Sequence, residues 1–226
     1  MHFIRFIRNF SLLFVFLLFL SSCATKDQDI GRPPSLKVAC LGDSITSGYK
    51  MTNPARESYP AQLSKQARGQ WQVLNLGVNG ATVLKKGDIP IVGQKAYQRA
   101  MDFLPDVVVI MLGTNDTKNT NWQYLDQFIN DYTALIINIK DLPSSPHVII
   151  CSAPPIFINH PSGINAEREE EINILVEKVA AITKTDFLDI YTMMSREPAL
   201  FIDGVHPNAL GAHEIATLVF NKVTSL

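Results

Sequence analysis

Five short apolar runs, each leading into a turn and then a helical pattern, constrain this chain more than any other feature. The runs are Leu36–Leu41, Trp71–Leu76, Asp106–Leu112, His147–Cys151 and Asp186–Ile190. Continuous apolar runs bounded by turn residues suit strands buried on both faces. Helices are predicted at about 57–68, 94–102, 121–140, 166–183 and 208–224. In 121–140 the residues Trp122, Leu125, Phe128, Ile129, Tyr132, Leu135, Ile136 and Ile139 recur at spacings of three and four, which describes one buried helical face. In 166–183 the residues Glu167, Glu169, Glu170 and Glu171 crowd the start, where acids favour the positive end of a helix dipole. They read as a solvated cap rather than a metal cluster. Strand–helix alternation at this length implies right-handed crossovers and a parallel sheet between two helical layers, an α/β fold. In such sheets chemistry gathers beyond the carboxyl ends of the strands.

Composition narrows the function classes. The chain has 226 residues, 46% hydrophobic and 18% charged, which is enough for one domain with a sizeable core over residues 36–226. Lys and Arg number 20 against 21 acids, a net charge of −1, so no basic excess marks a nucleic-acid partner. Three cysteines are too few for a disulfide-built scaffold.

The first residues read as an address. Arg5 and Arg8 precede an apolar run over Phe10–Leu20, then Leu20-Ser21-Ser22-Cys23. The run is shorter than the roughly 20 residues of a spanning helix, so residues 1–22 are expected to be a secretory signal peptide. The cysteine after small residues resembles the bacterial lipobox, which implies lipidation of Cys23. Residues 23–35, polar and ending near Pro33-Pro34, then form a tether between a membrane and the domain. The expected location is a bacterial cell-envelope membrane.

Four segments carry chemistry. After the first strand comes Gly42-Asp43-Ser44, which puts a hydroxyl at a strand-to-helix junction. A serine hydroxyl needs a base to become a nucleophile. After the second strand lies Asn75-Leu76-Gly77-Val78-Asn79-Gly80, where either glycine lets a backbone N–H approach a ligand. After the third comes Gly113-Thr114-Asn115-Asp116, and the Asn115 amide can donate to a developing oxyanion. Before the last helix stands Asp203-Gly204-Val205-His206-Pro207, in which the carboxylate can orient the imidazole. Pro207 fits the first turn of the helix that follows. His213 lies near His206, but the spacing matches no recognised zinc motif.

Together these blocks make a serine hydrolase set, without the G-x-S-x-G elbow of the common α/β-hydrolases. Over residues 36–226 the sequence resembles the SGNH (GDSL-type) hydrolase family, on Gly42-Asp43-Ser44, Asn79-Gly80, Gly113-Thr114-Asn115-Asp116 and Asp203-x-x-His206. The resemblance implies a flavodoxin-like three-layer α/β/α sandwich with a five-stranded parallel sheet in the order 2-1-3-4-5. It implies Ser44 as nucleophile, His206 as general base and Asp203 as its orienting partner. It implies an oxyanion hole from the Ser44 N–H, the Gly80 N–H (favoured over Gly77) and the Asn115 side chain, with no metal and no cofactor. That sheet order separates Cys40 from Cys151, so both are expected as buried free thiols.

Finer stretches resemble a bacterial carbohydrate-esterase branch, particularly sialate O-acetylesterases: Glu57-Ser58-Tyr59-Pro60, Gly80 through Asp88, and Thr114 through Lys118. This implies removal of acetyl groups from carbohydrates, sialic acids or other glycans. Lys85, Lys86, Lys118 or Arg56 could meet an acidic sugar, and Tyr49, Trp122 or Phe157 could stack on a ring. The alternatives are a lysophospholipase or thioesterase acting on lipid acyl chains, and a non-catalytic glycan-binding lipoprotein. No apolar insertion that would build a long acyl groove is evident.

Overall fold

The computed structural model describes residues 35–226. The signal peptide expected over 1–22, the lipidation at Cys23 and all but the last residue of the tether over 23–35 lie outside the described residues.

The strands are β1 (Leu36–Gly42), β2 (Trp71–Gly77), β3 (Val107–Met111), β4 (His147–Cys151) and β5 (Asp186–Leu188). They form one parallel sheet in the order β2-β1-β3-β4-β5. The helices in chain order are α1 (Ser44–Ser47), α2 (Pro54–Glu57), α3 (Tyr59–Gln66), α4 (Lys95–Phe103), α5 (Asn119–Trp122), α6 (Phe128–Lys140), α7 (Glu169–Thr183), α8 (Ile190–Met194) and α9 (Ala209–Thr224).

The period-2 pleat sorts each strand between two cores. Ala39, Leu41, Val108, Ile110, Val148 and Ile150 face α4, α6 and α7. Val38, Cys40, Val107, Val109, Ile149 and Cys151 face α1, α3, α8 and α9. Every residue of β3 is buried, as the middle strand of a covered sheet requires. Each fully buried Ile, Val or Leu contributes about 1.5–3 kcal/mol of transfer free energy, so both layers are held chiefly by these faces. Cys40 and Cys151 are buried free thiols on strands separated by β3. Burial pushes the Cys40 thiol up to about 12 and the Cys151 thiol higher still, so neither is a thiolate at neutral pH.

Several boundaries differ from the sequence reading, each for a local reason. The helix expected over 57–68 is two helices, α2 and α3, parted at an extended Ser58. Pro60 has no N–H and its ring blocks a continuous turn, so a new helix begins just before it. The helix expected over 121–140 is broken between α5 and α6. Asn121 is buried and tied to Asp88 and to the Asn115 carbonyl, which fixes α5 to a loop instead of to α6. The fifth strand stops at Leu188 because Asp189 caps α8 through the Thr192 N–H. Pro207 lies before the last helix rather than in its first turn, bridging to Phe201, and Asn208 caps α9.

Glu169 is a clear correction. It is not part of a solvated cap: it is 2% exposed, and its Oε2 accepts from the Ile156 N–H at 2.6 Å. Among the described residues its Oε1 has no hydrogen-bond partner. Burial raises its carboxyl to about 8. The folded state therefore keeps a proton that the unfolded state loses above about 4.5. This contribution to stability is complete below that pH and is lost as pH rises toward 8. Glu169→Gln should remove that slope. Denaturant midpoints at pH 5 and pH 8.5 are expected to show the variant gaining about 1 kcal/mol or more on wild type at the higher pH.

Candidate active site

Three neighbouring strands release the site. β1 ends at Gly42, and Asp43 caps α1 by accepting from the Ile45 N–H at 2.9 Å. This leaves Ser44 at the first helical position, 5% exposed. The last helix and the turn before it bring His206 up from 162 residues away, with its Nε2 3.0 Å from the Ser44 Oγ. The His206 Nδ1 stands 2.9 and 3.1 Å from the two carboxylate oxygens of Asp203. An ionised carboxylate only accepts, so Nδ1 carries the ring proton and Nε2 accepts from the serine hydroxyl. Asp203 also receives the backbone N–H groups of Val205 and His206, which fold its side chain back onto its own turn.

The donors expected for an oxyanion stand beside the serine. Ser44, Gly80, Asn115 and His206 share one cavity of about 250 Å³, with Tyr49, Asn79, Lys118, His160, Ser162 and Ile164 completing the wall. Among the described residues, no protein acceptor takes the Ser44 or Gly80 N–H. Gly77, the rival position, is separated by its bonding: its N–H donates to the Asn75 side chain at 3.0 Å. Gly77 has a packing role instead, since a Cβ there would meet the Ser47 backbone nitrogen at 2.1 Å. Gly80 has φ +81°, a conformation that L side chains rarely adopt. The Asn115 amide is fixed by donation to the Ala81 carbonyl at 3.2 Å and to Asp43 at 3.3 Å.

Electrostatics follow from burial. Desolvation would raise Asp203, but Lys50 and both the backbone and ring N–H of His206 outweigh it and hold the carboxyl well below its usual range. Desolvation lowers His206, against the opposing pull of Asp203, so the imidazole stays neutral at neutral pH. Beneath the site Asp43 and Asp116 are buried, and both carboxyls are raised to about 7 by desolvation.

Other residues singled out from sequence are scattered. Tyr49 packs edge-on to His206, with ring centroids 5.0 Å apart. Lys118 lines the cavity and pairs with Asp88 at 3.2 Å. Lys85 pairs with Asp131, Lys86 lies over the Tyr124 ring, and Arg56 is exposed on α2. Trp122 is half-buried beneath Arg168, and Phe157 packs on Phe201. His213 lies on α9, bonded to Gln62, in a separate cleft between α3 and α9.

Two residues at the site were missed from sequence, Lys50 and His160. The Lys50 Nζ is 2.7 Å and the His160 Nε2 3.3 Å from the Asp203 Oδ2. His160 follows β4, so the rule that places chemistry beyond strand ends was the available signal. His160, Asp203 and His206 gather metal-binding atom types within 4.8 Å. The Lys50 ammonium lies against that same carboxylate oxygen.

Comparison with known proteins decides the family. The sequence model of the GDSL-like lipase/acylhydrolase family matches residues 40–213. The chain belongs to this family. Its sheet order is the one the resemblance implied. A curated relative of this GDSL-like chain is an acetylxylan esterase of Xylanibacter ruminicola, 35% identical over 208 residues. That alignment covers 83% of this chain and 43% of the relative, so the chain spans less than half the relative's length. A carbohydrate acetylesterase from Sinorhizobium meliloti superposes with a TM-score of 0.69 at 19% identity, covering 84% of this chain and 99% of that one. The native aryl esterase of M. smegmatis superposes with a TM-score of 0.67 at 20% identity, with the same coverages. At these identities the two structures bear on the fold alone.

The geometry predicts a neutral base. An NMR titration of the His206 ring should give a midpoint below the ordinary value of about 6.5. A midpoint above 6.5 would mean that Asp203 outweighs burial.

Proposed function

We propose that this GDSL-like hydrolase is a serine esterase that removes O-acetyl groups from carbohydrates through an acyl-enzyme on Ser44. The observation that carries the reading is the 3.0 Å contact of the Ser44 Oγ with the His206 Nε2, backed by Asp203 and opening on a small cavity.

The reaction follows from the proton positions. The Ser44 Oγ attacks the ester carbonyl while His206 Nε2 takes its proton. The oxyanion is met by the Ser44 N–H, the Gly80 N–H and the Asn115 amide, which exchanges its long 3.3 Å bond to Asp43 for the oxyanion. The tetrahedral intermediate collapses, and His206 returns the proton to the departing sugar oxygen. Water then attacks acetyl-Ser44, with His206 again taking the proton, and acetate leaves. No step calls for a metal or a cofactor.

Substrate size and charge favour acetylated, uncharged sugars. A cavity of about 250 Å³ suits a short acyl group, whereas a lipid chain needs an extended apolar groove. The acetylxylan esterase relative points to the same substrate class. Among the described residues the one lysine lining the cavity is paired with Asp88, and the other cations considered for an acidic sugar lie elsewhere. Sialic acids, which carry a carboxylate, are therefore the second choice. A pure glycan-binding role leaves the hydrogen-bonded serine and imidazole without use. From Leu20-Ser21-Ser22-Cys23 we further propose a lipid anchor at Cys23 on a bacterial envelope membrane. Labelled palmitate incorporated by the wild type and by Cys23→Ala alike would dismiss it.

The deciding experiment compares rates on acetylated xylan fragments, acetylated sialic acid, and short- and long-chain nitrophenyl esters. Acetyl esters of neutral sugars should be fastest; a preference for long chains would hand the site to lipid hydrolysis. Ser44→Ala should abolish turnover with the fold intact, and Asn115→Ala should lower kcat by roughly 10²–10³. Retained turnover in Ser44→Ala would reject the nucleophile.

A further inference from the structure

Asp203 is held by more groups than orienting one imidazole requires. Its Oδ1 takes the Val205 N–H at 3.1 Å and the His206 N–H at 2.8 Å. Its Oδ2 lies 2.9 Å from the His206 Nδ1, 2.7 Å from the Lys50 Nζ and 3.3 Å from the His160 Nε2. The tautomer of His160 can be assigned from its other side. Its Nδ1 accepts from the Ser162 N–H at 3.2 Å, so the proton sits on Nε2, on the carboxylate side. His160 thus turns its Nε2 toward the Asp203 carboxylate, and Lys50 offers a full charge.

The two residues arrive from opposite sides. Lys50 ends the turn after α1 that also carries Ser44, and it has φ +65°. The left-handed region crowds a lysine Cβ against the backbone, so this turn is held against a local preference. The preceding residue, Tyr49, lies edge-on to the His206 ring at 5.0 Å. His160 comes from the loop after β4 and lies edge-on to the same ring at 5.7 Å. Each segment therefore contributes one ring against His206 and one nitrogen close to Asp203, with His160 doing both. Among the described residues, the titratable groups facing the His206 ring are Ser44, Tyr49, Lys50, His160 and Asp203.

We propose that Lys50 and His160 are positioning residues: they fix the Asp203 carboxylate against His206 and share its negative charge. The shared charge weakens the pull of Asp203 on a protonated His206. The base then keeps its acceptor nitrogen free for Ser44 in more acidic solution than a serine–histidine–aspartate set without these partners. Neither residue touches the reacting atoms; both act on the base by way of Asp203 and by their nearness to the His206 ring. The inference rests on the reading of His206 as the base.

The test is the acid limb of kcat/KM against pH, with 4-nitrophenyl acetate as probe, for full-length wild type and four variants. Lys50→Met removes the charge, and His160→Leu removes the imidazole. Each should lower kcat/KM, by on the order of tenfold, and move the limb up by roughly half a pH unit. Lys50→Arg keeps the charge, and His160→Gln places an amide donor near the ring Nε2 position. These two should restore the wild-type midpoint, and they keep the test open if a harsher variant fails to fold. Variants that lose rate equally at every pH, with the limb unmoved, would overturn the proposal and leave only a structural role. A limb that moves down would show Asp203 swinging away from the ring, and would overturn charge sharing. A flat wild-type profile would instead remove the base itself, which separates failure of that reading from failure of this one.

Discussion

Gly42, Gly77 and Met111 lie abreast across β2, β1 and β3, paired by parallel register. Everything at the site depends on that alignment. Parallel strands all end at the same edge of a sheet, so loops leaving three neighbours start within two strand spacings, about 10 Å, of one another. Ser44 leaves one strand, Gly80 the next and Asn115 the third. The main chain of the sheet therefore sets the spacing between nucleophile and donors before any side chain is chosen. Only the base must be delivered from elsewhere.

The floor under these loops is polar and buried, which is costly and informative. Asp43 accepts the Ile45 N–H and the Asn115 amide. Asp116 accepts the Val83 and Leu84 N–H groups, and so straps the loop after β2 to the turn after β3. Asn121 reaches the Asn115 carbonyl from α5. Each bond satisfies a group that would otherwise be buried without a partner. Together they stop the Asn115 amide from rotating. An oxyanion donor is useful when it is held close to its target, because only a small shift is then needed as charge develops. The desolvated Asp43 and Asp116 carboxyls, both near 7, are the stability given up for that rigidity.

Much of this was legible in the sequence because the same residues serve fold and chemistry. The strand runs stand out because both faces of the sheet are covered. The four motif blocks stand out because each falls where a covered sheet must open. His147–Cys151 needed no adjustment, and α9 differed by one residue at its start. What was not legible depends on neighbours distant in the chain. Glu169 sits among acids that look solvated, and only the return of the Ile156 loop buries it. Lys50 and His160 look like ordinary surface residues until Asp203 is placed between them. The break between α5 and α6 lies inside a regular apolar pattern, and the cause is one asparagine drawn to a loop 33 residues away. Periodicity reports what a helix face can bury, and cannot report a side-chain bond that outbids the next helical turn.

The two cores have different duties. The face packed by α6 and α7 supports the donors: a Cβ on Gly113, just before Asn115, would meet Ile172 of α7 at 2.7 Å. The face packed by α3 and α9 supports the base. The turn that carries His206 is pinned by the Ile202 N–H to the His206 carbonyl at 2.7 Å, and by Asn208, which caps α9 and donates to the Ala199 carbonyl. Gln62 of α3 donates in turn to the Ala209 carbonyl at the start of α9. A cavity opened under α7 therefore acts first on Asn115, and so on stabilisation of the oxyanion. A cavity opened between α3 and α9 acts first on the Ser44–His206 separation, and so on proton transfer. The sheet couples the two cores through β1, which presents alternate residues to each and ends beside the nucleophile.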